Sequence, residues 1–289
     1  MTAPAVLALI LAVAIPVELW RAYRPDPAGD ERWARDRGLE LTPESRALVA
    51  RYLRTARVLR TWGGVAGIVL PTLITLVASG RVVVLGFGTD GDSAPLAFGW
   101  IFVGYVVGAV CAELSLARPV AGARRAAGLA RRDLDQYVPR LALLGQRALA
   151  GAAAAGTILV GVVPYPDSFS TPSPAALVAG AVVVLALAAG LEGLERWLVR
   201  RPQPFTSPAA VAADDAIRAQ SIRSVAGAGL ALLLLLCSGV SLALQASDVA
   251  ALQVAMVVPA AVCFVASLFA CRGIGVRAWR VRRTIGAAA

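Results

Sequence analysis

Two residue types are missing from this 289-residue sequence: it has no histidine, and all 28 of its basic residues are arginine, so lysine is absent as well. Without them the chain cannot carry a retinal-type Schiff base, a Ser-His-Asp triad, an HExxH zinc helix or a P-loop lysine. Charge of either sign is scarce. Charged residues make up 16% of the chain, against about 25% in a soluble globular domain, too few to clothe a water-exposed surface of this size. Cysteine is limited to Cys111, Cys237, Cys263 and Cys271. None forms CxxC, and with no histidine beside them they make a poor metal set, so they read as small apolar packing residues.

Apolar residues are abundant, at 58% of the chain with a mean hydropathy of +0.71. A helix needs about 20 mostly apolar residues to cross roughly 30 Å of hydrocarbon. Such runs occur at 3–20, 62–80, 96–117, 141–163, 174–195, 224–245 and 250–271. The expected fold is therefore all-α: one transmembrane helix bundle over 1–289 with about seven spans. Pro71 and Pro259 fall mid-span and predict kinks.

Arginine placement gives an independent test, because cytoplasmic loops collect basic residues. If the helices alternate direction, 27 of the 28 arginines fall on one side, in loops 21–61, 118–140 and 196–223, in the tail 272–289 and at their edges. The other side keeps Arg81 together with Asp90, Asp92, Asp167 and Asp248. That asymmetry predicts an outside N-terminus, an inside C-terminus and an odd number of spans. A cleaved signal peptide is the rival reading of residues 3–20; it needs positive charge ahead of its apolar core, and Arg21 is the first basic residue. The net charge of +10 follows from topology and predicts contact with an anionic inner leaflet. It does not point to nucleic acid, since aromatic stacking platforms and known binding modules are lacking.

The arginine-rich loops carry helix signals. Thr42-Pro43-Glu44 and Ser207-Pro208 each combine an N-cap residue with proline at the first helical position. Asp214 and Arg218 stand four apart with the acid first, the favourable order for a helical ion pair, with Asp215 beside them. Arg124 and Arg125 lie in a basic stretch between Arg118 and Pro139 that suits a helix lying on headgroups. Arg60-x-x-x-Gly64, Arg147-x-x-x-Gly151 and Arg223-x-x-x-Gly227 recur where runs resume, predicting tandem two-helix repeats plus one unpaired span. Gly104-xxx-Gly108-xxx-Ala112 is a small-residue stripe suited to close helix packing.

Candidate chemistry is confined to carboxylates. Glu18, Glu113, Glu192 and Glu195 are the ionisable groups nearest the hydrocarbon. Carboxylates there mark either ion pathways or paired groups, and Arg21, Arg118 and Arg196 stand close enough in sequence to pair with them. Glu192 and Glu195, three apart, share a helix face. Asp214-Asp215-Ala-Ile-Arg218 invites comparison with a DDxxD diphosphate motif, but Arg218 replaces the final acid and a magnesium site needs several oxygens. No catalytic, metal or cofactor set is expected.

The segments Arg201-Pro-Gln-Pro204 with Ala213-Asp-Asp-Ala-Ile-Arg218, and Arg118-Pro-x-x-Gly122-x-Arg-Arg-Ala126, resemble a group of uncharacterised multi-pass membrane proteins of high-GC Gram-positive bacteria. The resemblance runs from the third span to the sixth. It implies a bacterial plasma-membrane protein with a transport-associated role and transfers no active-site residue. The expected function is a non-enzymatic subunit or accessory of a membrane transport complex, docked through its arginine-rich loops to a cytoplasmic ATPase or another membrane subunit. A self-sufficient secondary transporter working through the carboxylates is the alternative, and a membrane-embedded lipid-modifying enzyme using Asp214 and Asp215 is the third reading.

Overall fold

A computed structural model describes residues 3–79, 83–84, 87–88, 97–116, 125–126, 133–166, 172–201, 203–204 and 207–270. The architecture is helical. In chain order the helices are α1 (Ala3–Tyr23), α2 (Pro27–Asp36), α3 (Pro43–Ser79), α4 (Ala97–Leu116), α5 (Arg140–Val160), α6 (Pro174–Arg200), α7 (Pro208–Gln245) and α8 (Ala250–Ala255). After a turn at Met256 the last of these resumes over 257–270. Two-residue antiparallel ladders join Val83–Val84 to Phe87–Gly88 and Arg125–Ala126 to Gln203–Pro204.

One local device starts four of these helices. Asp26-Pro27, Thr42-Pro43, Ser173-Pro174 and Ser207-Pro208 each place a capping oxygen before a proline whose missing N–H costs nothing in a first turn. In each the oxygen accepts from the backbone N–H three residues on: Gly29 at 2.9 Å, Ser45 at 3.3 Å, Ala176 at 3.3 Å and Ala210 at 3.2 Å. Helix α2 also ends by rule. Gly38 takes a left-handed φ of 59°, and the N–H groups of Gly38 and Leu39 return to the carbonyls of Arg35 and Ala34.

Among the described residues four helices are long and apolar enough to cross a membrane: α5, α6, α7 and the helix Ala250–Ala270. The apolar helix Trp100–Leu116 is shorter. The other expected runs, 3–20 and 62–80, lie in α1 and, through Ser79, in α3, but neither helix joins the four among the described residues. The seven-span expectation thus reduces here to four. Large apolar side chains such as Val182, Val183, Val258 and Phe269 face outward from these helices, as lipid contact requires and water contact would not tolerate in such number.

Pro259 and Pro71 behave differently. Pro259 cannot donate to the carbonyl of Ala255, and the helix breaks at Met256. Helix α3 continues through Pro71 without interruption.

The chain folds as two compact units, Met1–Leu129 with Arg201–Arg218, and Ala130–Arg200 with Ala219–Ala289. In the first, α3 and α4 cross where glycine meets glycine. A Cβ on Gly104 would stand 2.8 Å from Gly67 Cα, and one on Gly63 would stand 2.9 Å from Gly108 Cα. Only hydrogen fits there, so the backbones approach to van der Waals contact. The stripe Gly104–Gly108 is thus used, against Gly63 and Gly67 of α3, and Ala112 continues it fully buried. The same unit packs Val49 and Tyr52 of α3 against Ala213 and Ile217 at the start of α7, with Trp33 of α2 at the edge. In the second unit Ala150, Ala153, Val184, Leu233 and Cys237 form the core between α5, α6 and α7. Cys237 fills that core as a small apolar residue, while Cys111 is exposed and Cys271 lies outside the described residues.

Candidate functional site: carboxylates at the arginine-rich helix ends

The four glutamates singled out by the sequence separate into two pairs. Glu18 is exposed and Glu192 half-buried, each held by arginine. Glu18 accepts from Arg21 at 2.8 Å, both side chains exposed, and Glu192 accepts from Arg147 of α5 and Arg196 of its own helix. Glu113 and Glu195 are buried.

Glu113 sits near the end of α4, where Tyr52 Oη donates to its Oε1 at 3.2 Å and Arg60 Nη2 reaches the same oxygen at 3.5 Å. Both partners come from α3. The glycine crossing brings α3 close enough for side chains more than 50 positions away to meet this carboxylate. Arg118, the neighbour expected to pair with it, lies outside the described residues.

Glu195 belongs to the second unit. Gln146 of α5 donates to its Oε1 at 3.1 Å and, through the same nitrogen, to the carbonyl of Ala226 on α7 at 3.0 Å. Gly229 makes the room: a Cβ there would stand 3.0 Å from Gln146 Nε2. The second oxygen of Glu195, Oε2, is buried with no hydrogen-bond partner. Three residues rotate a helix by about 300°, so Glu192 and Glu195 differ by about 60°. That offset leaves one at the rim among guanidinium groups and the other inside.

Asp214 and Arg218 form the expected pair at 3.1 Å, with Arg218 almost wholly buried. Arg201 completes it, donating to Asp214 at 2.9 Å and to the carbonyl of Leu116 at 3.3 Å. The two halves of the Arg201-to-Arg218 motif are therefore brought together by a buried ion-pair network. Asp214 faces cations on both oxygens, the opposite of what a magnesium ligand needs. Asp215 is half-buried one position on, Arg124 and the side chain of Arg125 lie outside the described residues, and no group of three metal-ligating side chains occurs among the described residues.

Three features escape sequence reading. Tyr52 and Gln146, which hold the two buried glutamates, carry no local signal. Helix α2 does carry one, in the Asp26-Pro27 start and the Gly38 stop, but its polar composition hides it from a hydropathy scan. Beside it, a cleft of about 800 Å³ opens between the end of α1, the start of α2, α3 and α4.

Comparison with known proteins finds no match: no family model fits the chain, and no curated protein and no solved structure is similar to it.

Proposed function

We propose that this chain is a polytopic protein of a bacterial plasma membrane, crossing it about seven times with the N-terminus outside, and a subunit or accessory of a transport complex. The observation that carries the reading is the organised layer at the arginine-rich helix ends. Helix α2 is capped at both ends, α3 begins well before its apolar run, and α7 begins at a Ser207 cap, with its charged residues Asp214, Asp215 and Arg218 ahead of its apolar run. Ser207 Oγ donates to Glu44 at 2.8 Å, so the starts of α7 and α3 are tied. Simple connectors need none of this. Their apolar faces are spent on each other, in the core around Val49 and Ile217. Docking would therefore fall to exposed charge such as Arg32, Arg35, Arg51 and Arg54. Co-purification from native membranes is expected to recover a stoichiometric partner such as an ATPase; recovery of the chain alone, repeatedly, refutes the reading.

A second reading, a self-sufficient secondary transporter, is favoured by one observation: the buried, unpartnered Oε2 of Glu195. A carboxylate held on one oxygen and bare on the other is suited to take up and release a proton. Replacing Glu195 with Gln would then abolish proton-linked flux in vesicles, and unchanged flux removes the idea.

A further inference from the structure

The cleft in the first unit has a chemistry that neither the transport reading nor the carboxylates use. Four guanidinium groups line it, from Arg21, Arg24, Arg57 and Arg60, together with the rings of Trp20 and Tyr105. Three of the cations have carboxylate neighbours. Arg21 pairs with Glu18 at 2.8 Å, while Arg57 meets Asp26 at 3.6 Å and Arg60 meets Glu113 at 3.5 Å, both long contacts. Asp26 is shared, since it also caps α2. Arg24 has no carboxylate within salt-bridge reach among the described residues; its guanidinium lies 5.1 Å over the Trp20 ring. Within salt-bridge reach the four cations meet three carboxylates, and Arg24 is the one left over, with the buried Asp30 a further acid near Arg57.

Its surroundings are graded from apolar to cationic. Val13, Val17 and Trp20 follow one another at helical spacing on an exposed stripe of α1, and exposed Arg24, one residue past its end, continues the same spacing. Trp62 Nε1 donates to Tyr23 Oη at 3.0 Å, and Trp20, Tyr23 and Trp62 are 61%, 46% and 46% exposed. Exposed tryptophan and tyrosine between an apolar helix and arginines is the pattern of a membrane interface, where amphipathic rings settle at headgroup depth. Arginine is the side chain best matched to phosphate, through paired N–H donors in one plane.

We infer that this cleft binds the phosphate headgroup of an anionic glycerophospholipid, with Arg24 and Arg57 on the phosphate and an acyl chain along Val17 and Val13. The apolar stripe favours a lipid over free phosphate, because a small anion would have no use for it. The site rests on the membrane placement proposed above, but not on a transport partner: the pull-down can fail while the lipid is still bound.

The test uses the full chain purified in a non-ionic detergent, with added phosphatidylglycerol, phosphatidylcholine or inorganic phosphate. Lipid adducts are counted by native mass spectrometry and the unfolding midpoint is followed by tryptophan fluorescence. Phosphatidylglycerol is expected to be retained and to raise the midpoint; the other two are not. Arg24→Gln with Arg57→Gln should weaken its apparent affinity by at least about tenfold, from lost charge-assisted hydrogen bonds. Arg140→Gln with Arg200→Gln, both exposed and neither lining the cleft, should leave it within about twofold, as unspecific surface charge would not. Should the first double variant fold poorly, Arg24→Gln alone, which breaks no ion pair, carries the test. Equal retention of phosphatidylcholine, a full shift from inorganic phosphate, or equal loss in the control variant overturns the site.

Discussion

Asp214, Arg201 and Arg218 show how unequal the members of one ion-pair network can be. Asp214 serves two guanidinium groups, whereas Arg218 has Nε and Nη1 buried without an acceptor. Removing one member of a buried pair costs about 3–5 kcal/mol, chiefly through the charge left behind. Asp214→Ala is therefore expected to lose that much in detergent unfolding titrations. Arg218→Met takes its unsatisfied groups away with it and should cost distinctly less. Equal losses would mean that the aspartate is not the centre of the network. Asp30 makes the complementary case on α2, outside the apolar helices. Burial holds its carboxyl above the ordinary range, with the Arg57 charge pulling the other way and Asp26 adding to the rise. The folded state then binds this proton more tightly than the unfolded chain, so stability falls as pH rises from the ordinary carboxylate range through the folded value. Asp30→Asn is expected to flatten that fall and to raise the unfolding midpoint at neutral pH. At this scale the sequence made the Asp214–Arg218 pair legible, because its partners are four residues apart on one helix. It left Glu113–Tyr52 and Glu195–Gln146 illegible, because those partners meet only when separate helices pack.

Among elements, the crossing of α3 and α4 is the most demanding contact, and neighbouring glycines on α3 test it with opposite signs. A Cβ on Gly63 would collide with the backbone of α4, and one on Gly64 would meet nothing within 4 Å. Gly63→Ala should therefore cost about 1–3 kcal/mol through overpacking. Gly64→Ala should gain up to about 1 kcal/mol, since alanine is the better helix former. Thermal unfolding of both variants in one detergent decides it, and a stabilising Gly63→Ala would disprove the contact. The stripe Gly104–Gly108 could be seen in the sequence, but in a chain with 27 glycines its partner could not be chosen. Helix starts were far more legible. A capping side chain followed by proline acts within one turn, and the structure honours both starts read from the sequence, at Thr42 and Ser207, and uses the same device at Asp26 and Ser173.

For the whole molecule, the prediction is topological. Reporters fused after Asp90, Asp167 and Asp248 should score as external, and those after Arg132 and Arg283 as internal. A reporter fused after Arg283 that scores external would reject the orientation, and one after Asp90 that scores internal would reject the seven-span count. Among the described residues four helices meet the length and hydropathy of a membrane span on their own, and the reporters decide the other three expected runs.

Composition and local spacing determined that the chain is helical, apolar along helices long enough for a membrane, and punctuated by cap–proline starts, because these properties arise within a turn or a single helix. The tertiary structure alone decided which carboxylates are buried, which glycines touch, and where arginines gather beside Trp20. Each of those depends on groups from different helices arriving within a few ångströms, a distance that no spacing along one strand of sequence encodes.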